Sequence, residues 1–194
     1  MIDDLDRSLE QLLKQELPAS LVSQVSISFA PPDSQFPPQS VTLPAIDLFL
    51  YDIRENRDLR DGNWLLERQS NGASTSRQPP MRIDCSYLIT AWASDASTTR
   101  MLDEHRLLSE VMRVLIRHGS LPEAILQGSL QGQSPPVPGS VGQPGQLQSI
   151  SEFWQALGGK PKAAINYTVT ISMDAGVPVE GEAPVTDSQT SLGR

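Results

Sequence analysis

Proline punctuates this chain more sharply than any other residue. The 16 prolines fall mostly in clusters, at 31–44, 79–80 and 135–144, and leave two long windows free of them, 45–78 and 81–121. Proline breaks helix interiors and is excluded from central strands, so regular structure must concentrate in and beside those windows.

Residues 2–17 read as a helix. Ile2, Leu5, Leu9, Leu12, Leu13 and Leu17 recur at steps of three and four, acidic Asp3, Asp4 and Asp6 occupy the first turn, and Pro18 ends it. Residues 22–29 alternate through Val25, Ile27 and Phe29 as a half-buried strand, followed by a polar, proline-rich loop over 30–44. Residues 45–53 are apolar on both faces, with Ile46, Leu48 and Leu50 on one and Phe49, Tyr51 and Ile53 on the other. A strand of that kind needs cover on both sides, from helices or from another subunit. A short strand at 64–68 and the turn signal Asn71-Gly72 follow. In the next window, 81–93 is a long strand. Ile83, Cys85, Tyr87, Ile89 and Ala91 share a buried face, while Arg82, Asp84, Ser86, Thr90 and Trp92 mostly wet the other.

The segment 98–118 is a helix whose expected buried stripe is Met101, His105, Leu108, Met112 and Leu115, with Gly119 and Pro122 beyond its end. Residues 132–148 carry no charge and hold four Gly, four Pro and four Gln among 17, the composition of a flexible linker. A short helix at 151–157, an alternating strand at 164–173 and a tail at 174–194 without periodicity complete the chain. The expected architecture is α/β (α+β): one domain over 1–173, with a mixed or mainly antiparallel sheet of four to five strands flanked by two main helices, and a disordered tail over 174–194.

The charge balance narrows function. Fifteen Lys and Arg against 23 Asp and Glu give −8, which disfavours phosphate-backbone binding and docking on an anionic membrane. There is no run of 18 apolar residues, and the N-terminus is acidic where a secretion signal would be basic. The expectation is a soluble, acidic, intracellular protein without nucleic-acid or direct membrane contact. A single cysteine and two histidines leave little material for a metal centre.

No catalytic constellation emerges. Leu157-Gly158-Gly159-Lys160-Pro161 lacks the Ser or Thr of a phosphate loop and reads as a helix-ending turn. Gly128-Ser129-Leu130-Gln131-Gly132 places its serine one position early for a nucleophile elbow. Cys85 sits on the apolar face of its strand as a structural thiol, and His105 falls on the apolar stripe of its helix. No catalytic, cofactor-binding or metal-binding residue is expected; a small enzyme would need His105 or Asp84 in an accessible pocket. The charged stretch after residue 52 is more suggestive. Arg54, Glu55, Arg57, Asp58, Arg60 and Arg68 form the candidate subunit interface, since Arg–carboxylate forks set register between protein surfaces. The other reading, a solvated loop with weak surface ion pairs, stays open.

Two strings go further. Ala45-Ile46-Asp47-Leu48-Phe49-Leu50-Tyr51-Asp52-Ile53-Arg54-Glu55-Asn56-Arg57-Asp58-Leu59-Arg60 and Pro79-Pro80-Met81-Arg82-Ile83-Asp84-Cys85-Ser86-Tyr87-Leu88-Ile89-Thr90-Ala91-Trp92-Ala93 stand with Glu104-His105-Arg106-Leu107-Leu108, Leu126-Gln127-Gly128-Ser129-Leu130 and, before the last strand, Leu157-Gly158-Gly159-Lys160. Together they resemble the tube-terminator, or cap, family of extracellular contractile injection systems, over about residues 1–173. The resemblance implies a tail-terminator-like fold and a structural role without an active site. It implies a homohexameric ring that ends inner-tube polymerisation and binds the last sheath layer, distal to the baseplate. Partners would be further copies of the chain and the tube and sheath subunits. The location would be cytoplasmic during assembly and then the distal end of the particle. The alternative from the residues is a monomeric adaptor or chaperone-like binding module.

Overall fold

The computed structural model describes residues 1–60, 62, 65–68, 74–142, 150–174 and 179–180, with backbone only for 65–68, 74–77, 150–151 and 179–180. In chain order the elements are α1 (Ile2–Glu16), the single turn α2 (Ala19–Val22), β1 (Ser26–Ser28), β2 (Ala45–Glu55), β3 (Leu65–Arg68), β4 (Ser74–Arg77), β5 (Met81–Trp92), α3 (Arg100–Arg117), β6 (Gly139–Val141), α4 (Ile150–Ala156), β7 (Ala164–Met173) and β8 (Val179–Glu180). Among the described residues, 3-10 turns at Arg57–Leu59, Glu123–Ile125 and Gly128–Leu130 punctuate the connections.

Five strands form one mixed sheet in the order β1-β2-β5-β7-β6. Only β1 to β2 is parallel, and the long β2, β5 and β7 pair antiparallel through the centre. This is the fold class the sequence implies, with α1 and α3 as its two main helices. A second, three-stranded sheet, β3-β4-β8, was not anticipated as a unit; β3 lies where a short strand was expected, while Asn71-Gly72 falls outside the described residues.

α1 buries Leu5, Leu9, Leu12 and Leu13 at no more than 1% exposure. Complete burial of a leucine contributes about 1.5–3 kcal/mol, so this stripe fixes the helix on the sheet. The same core holds Ile46, Leu48, Cys85, Tyr87, Ile89, Tyr167 and Val169 from the strands and Leu107, Leu108, Val111, Val114 and Leu115 from α3. The buried stripe of α3 therefore differs from the expected one. Met101 is 70% exposed and His105 is also exposed, because the helix presents its later, contiguous apolar rows to the sheet.

Polar contacts also fasten α1. Tyr87 donates its hydroxyl to Asp6 Oδ1 at 2.7 Å, and Asp4 accepts from the Ser129 amide at 3.1 Å and hydroxyl at 2.8 Å. The Ser129 bonds hold the Asp4 carboxyl down to about 2. Gly128, at φ +52°, is required here because a Cβ would lie 2.3 Å from Asp4 Oδ1.

The opposite sheet face is not the wet surface expected from the sequence. Ser86 and Thr90 are fully buried and Arg82 is 7% exposed. Over the Ala45–Trp92 end, the 30–44 loop and α4 supply an aromatic lid: Phe36 stacks on Trp92 at 4.3 Å, and Phe153 meets Tyr51 edge-on at 5.6 Å. Elsewhere on that face hydroxyls satisfy one another, with Ser86 3.3 Å from Thr168 and Arg82 donating to Ser172.

The uncharged 132–148 segment departs from a flexible linker over its first part. β6 adds to β7, Val137 is 1% exposed, and the Gln133 amide exchanges hydrogen bonds of 2.9 and 3.0 Å with the Ser172 backbone. Residues 143–149 lie outside the described residues. Of the tail, Val179 and Glu180 pair with β4; 175–178 and 181–194 are likewise outside.

β6 can approach only because position 139 lacks a side chain. A Cβ on Gly139 would stand 2.0 Å from the buried Tyr167 hydroxyl. Gly139→Ala is expected to cost about 1–3 kcal/mol by overpacking and to lower Tm by roughly 3–10 °C. The Tyr167 hydroxyl has no hydrogen-bond partner among the described residues, so adding Tyr167→Phe should restore part of the loss. Thermal unfolding of the two variants checks this; equal Tm values would refute the contact.

Candidate subunit interface

The six candidate residues begin where β2 leaves the sheet. An extra residue at Tyr51 shifts the register, so that Leu50 opposes Tyr87 while Asp52 opposes Ser86. A bulge reverses every later side chain. Ile53 therefore joins the Cys85 side rather than that of Phe49 and Tyr51, and Arg54 lies opposite Asp84.

The chain then turns through Arg57–Leu59, and Asn56 sets that turn. Its backbone N–H donates to Arg82 O at 2.8 Å, its side-chain amide donates to both Asp84 oxygens at 3.2 and 3.1 Å, and its side-chain oxygen caps Leu59 N–H at 3.1 Å. Asp84 also accepts from the Thr170 hydroxyl at 2.6 Å. Asn56 and Asp84 position the arginine-bearing turn against β5 and β7. Sequence reasoning passed over Asn56, although an Asn immediately ahead of a short polar turn is itself a cap signal.

The structure brings together five of the six candidates. Arg54 donates from Nε and Nη2 to one Asp52 oxygen at 2.6 and 2.5 Å, and Arg60 lies 3.4 Å from Glu55. Arg57 and Asp58 are exposed and hold no ion pair among the described residues. Arg68 ends β3, and its side chain lies outside the described residues. Among these charges stand Ile53 and Leu59, each 50% exposed. Apolar side chains ringed by arginines and carboxylates have the anatomy of a protein-binding surface.

The other chemical candidates resolve in less active ways. Cys85 is fully buried, and burial pushes its thiol up to about 12, far from a working nucleophile. Ser129 is committed to Asp4. The Leu157–Pro161 string closes α4, with Gly159 N–H donating to Trp154 O at 3.1 Å. Asp84 is held by Asn56 and Thr170; His105, expected in the core, instead stands exposed in the lining of a cavity of about 470 Å³, with no side-chain hydrogen bond among the described residues. His118 Nε2 lies 3.4 Å from Glu16 at the end of α3. Among the described residues, no three His, Cys, Asp or Glu side chains gather as a metal site, and no helix is long and apolar enough to cross a membrane.

Comparison with known proteins gives this geometry a setting. The family model described as the Pvc16 N-terminal domain matches residues 4–188. Among solved structures, the chain aligns with the PVC sheath/tube terminator of an extracellular contractile injection system in its extended state. That match has a TM-score of 0.70 and 24% identity, covering 100% of this chain and 64% of that one. It also aligns with the tube-terminating cap of the anti-feeding prophage, at TM-score 0.65 and 25% identity, covering 99% of this chain and 61% of that one. The chain thus spans less than two thirds of either protein. No curated protein matches it. The fold implied by the sequence resemblance is the fold found.

Proposed function

This chain belongs to the Pvc16 N-terminal domain family, and from that footing we propose that it caps a phage-tail-like contractile injection particle, forming a homohexameric ring that ends the inner tube and holds the last sheath layer. The observation that carries the reading is the family match over 4–188, supported by a fold shared with a tube terminator and a tube-terminating cap. The role is structural, not catalytic.

The exposed Arg54–Arg60 turn suits such a ring. In a cyclic assembly each subunit meets the next through two different surfaces, so one charge pattern is used six times. Inner tube and sheath are then the outer partners. The three-residue edge strands β1 and β6 offer backbone groups to which an extended sheath segment could add. Assembly in the cytoplasm would precede residence at the particle's distal end.

Light scattering coupled to size exclusion, over a concentration series and with tube subunits added, tests the ring. Six copies of the 21.2 kDa chain, about 127 kDa, are expected on tube ends or at high concentration. A strict monomer in every condition, tube included, would overturn the ring and favour a monomeric adaptor.

A further inference from the structure

A strand edge without a partner specifies its occupant, because only another extended backbone completes the ladder. β1 pairs with Ala45–Asp47 alone, so β2 runs on to Glu55 with no strand on that side among the described residues. Leu48 is still fully buried, but Leu50, Tyr51 and Asp52 are half-buried and Ile53 and Arg54 are exposed. The bulge at Tyr51 interrupts this edge and leaves Asp52–Glu55 as one regular run. The phase of the ladder there is fixed. Asn56 N–H donates to Arg82 O at 2.8 Å, so Asn56 and Arg54 turn their backbone groups to β5, and Ile53 and Glu55 turn theirs to the free edge. No hydrogen bond reaches those outward groups among the described residues. A second open edge lies on β3, the outer strand of its sheet, which pairs only with β4 through Leu65–Arg68.

The two edges match in length and in pattern. Aligned in parallel, Asp52-Ile53-Arg54-Glu55 runs beside Leu65-Leu66-Glu67-Arg68, which pairs Ile53 with Leu66, Arg54 with Glu67 and Glu55 with Arg68. The antiparallel alignment keeps one opposite-charge pair, Asp52 with Arg68, and sets Ile53 against Glu67. The parallel arrangement is closed to a single chain. Parallel strands need a crossover of about a dozen residues or more, and only the nine residues 56–64 join Glu55 to Leu65. We propose that β3 of one copy of this chain adds in parallel to the Asp52–Glu55 edge of β2 in the next copy. The inference rests on the ring reading and supplies its contact: two different edges meet head to tail, the geometry that closes a ring. It brings in Arg68, the sixth candidate, beside Glu55 of the neighbouring copy. The ion pairs inside the turn, Arg54 with Asp52 and Arg60 with Glu55, have exposed arginines and are weak enough to exchange for a neighbour's charge.

Cysteine cross-linking tests the register. A chain carrying Ile53→Cys and a chain carrying Leu66→Cys are mixed under mild oxidation at high concentration, with and without tube subunits. Cys85 is fully buried and stays silent. Neighbouring strands hold opposed Cα atoms about 5 Å apart, within disulfide reach. The mixture is expected to cross-link at least about fivefold faster than either chain alone, because strand pairing raises the local thiol concentration. Arg54→Cys mixed with Glu67→Cys reads the same register from the other sheet face and serves if Leu66→Cys does not fold. Ile53→Cys mixed with Glu67→Cys, the antiparallel pairing, should stay at background. With Ile53→Cys and Leu66→Cys in one chain, the non-reducing ladder should end at six. A ladder closing at another number would keep the strand contact and overturn the hexamer. Absence of both parallel-register bonds, a bond formed only within one chain, or equal yield from the antiparallel pairing would overturn the strand contact and leave the ring to its mass measurement.

Discussion

Reversing Arg54 and Arg57 together, as Arg54→Glu with Arg57→Glu, is expected to abolish the proposed ring while the monomer folds normally. The fold loses little. Arg54 is an exposed side chain whose ion pair to Asp52 lies at the surface, where such pairs contribute about 0–1 kcal/mol. Arg57 has no ion pair among the described residues to lose. Across a subunit contact the effect is far larger. Charges that become desolvated and hydrogen-bonded against a neighbour cost about 2–5 kcal/mol each when one partner is removed, and reversal adds repulsion. Six symmetric contacts bear this at once. Mass by light scattering should drop from ring to monomer, with far-ultraviolet circular dichroism and Tm close to the parent. Arg54→Lys with Arg57→Lys keeps the charge but loses the planar fork, so an intermediate ring population is expected. A ring of unchanged mass in the double Glu variant would remove the turn from the interface.

Where the sequence was legible, a single physical constraint dominated. The stripe of α1 was plain because Leu5, Leu9, Leu12 and Leu13 are flanked by charge and Pro18 ends the helix. β7 was plain because Ile165, Tyr167, Val169 and Ile171 alternate without exception against polar residues. α3 was placed correctly but rotated, since Met101, Leu102 and Ile116 extend its apolar surface around the cylinder. Only packing selects which rows face the sheet, and it selects Leu107, Leu108, Val111, Val114 and Leu115. The bulge at Tyr51 leaves no mark on alternation, because residues 45–53 are apolar on both faces and either register looks acceptable. β6 was hidden by composition. Gly139-Ser140-Val141 has little strand propensity, and it pairs only because the glycine clears Tyr167. For the candidate interface, charge content was readable, but the device that aims it was not. Asn56 acts through Asp84, 28 residues away, and that distance closes only in the folded sheet.

Replacing Asp47 with asparagine is expected to stabilise the protein strongly at alkaline pH and hardly at all in acid. Asp47 is fully buried in β2, opposite Ser28 of β1 and Thr90 of β5. Neither carboxylate oxygen holds a hydrogen bond among the described residues. Burial pushes the group up to about 7; the nearby Ser28 hydroxyl and the Ala30 amide, which donates to Ser28 Oγ at 3.1 Å rather than to the carboxylate, oppose it by less. In the unfolded chain an aspartate titrates near 3.9. Between those two values the folded state binds one proton more than the unfolded state, so stability falls as pH rises, by up to about 1.4 kcal/mol per pH unit. By pH 8 the accumulated loss is on the order of 4 kcal/mol. Asp4 acts in the opposite sense: held down to about 2, its contribution is complete above about pH 4 and is lost as pH falls through 2. The Asp47→Asn amide is nearly isosteric, and whatever its buried N–H groups cost is the same at every pH. The difference between pH 8 and pH 4 therefore isolates the ionisation. Urea unfolding should show the parent losing stability over that range and Asp47→Asn keeping it; parallel curves would refute the buried charge. The strand expected to yield first is β1, a three-residue edge strand whose Ser28 faces the carboxylate in the register. Amide exchange at Ile27 and Ser28, corrected for the intrinsic rise with pH, should accelerate between pH 6 and 8 in the parent and not in the variant.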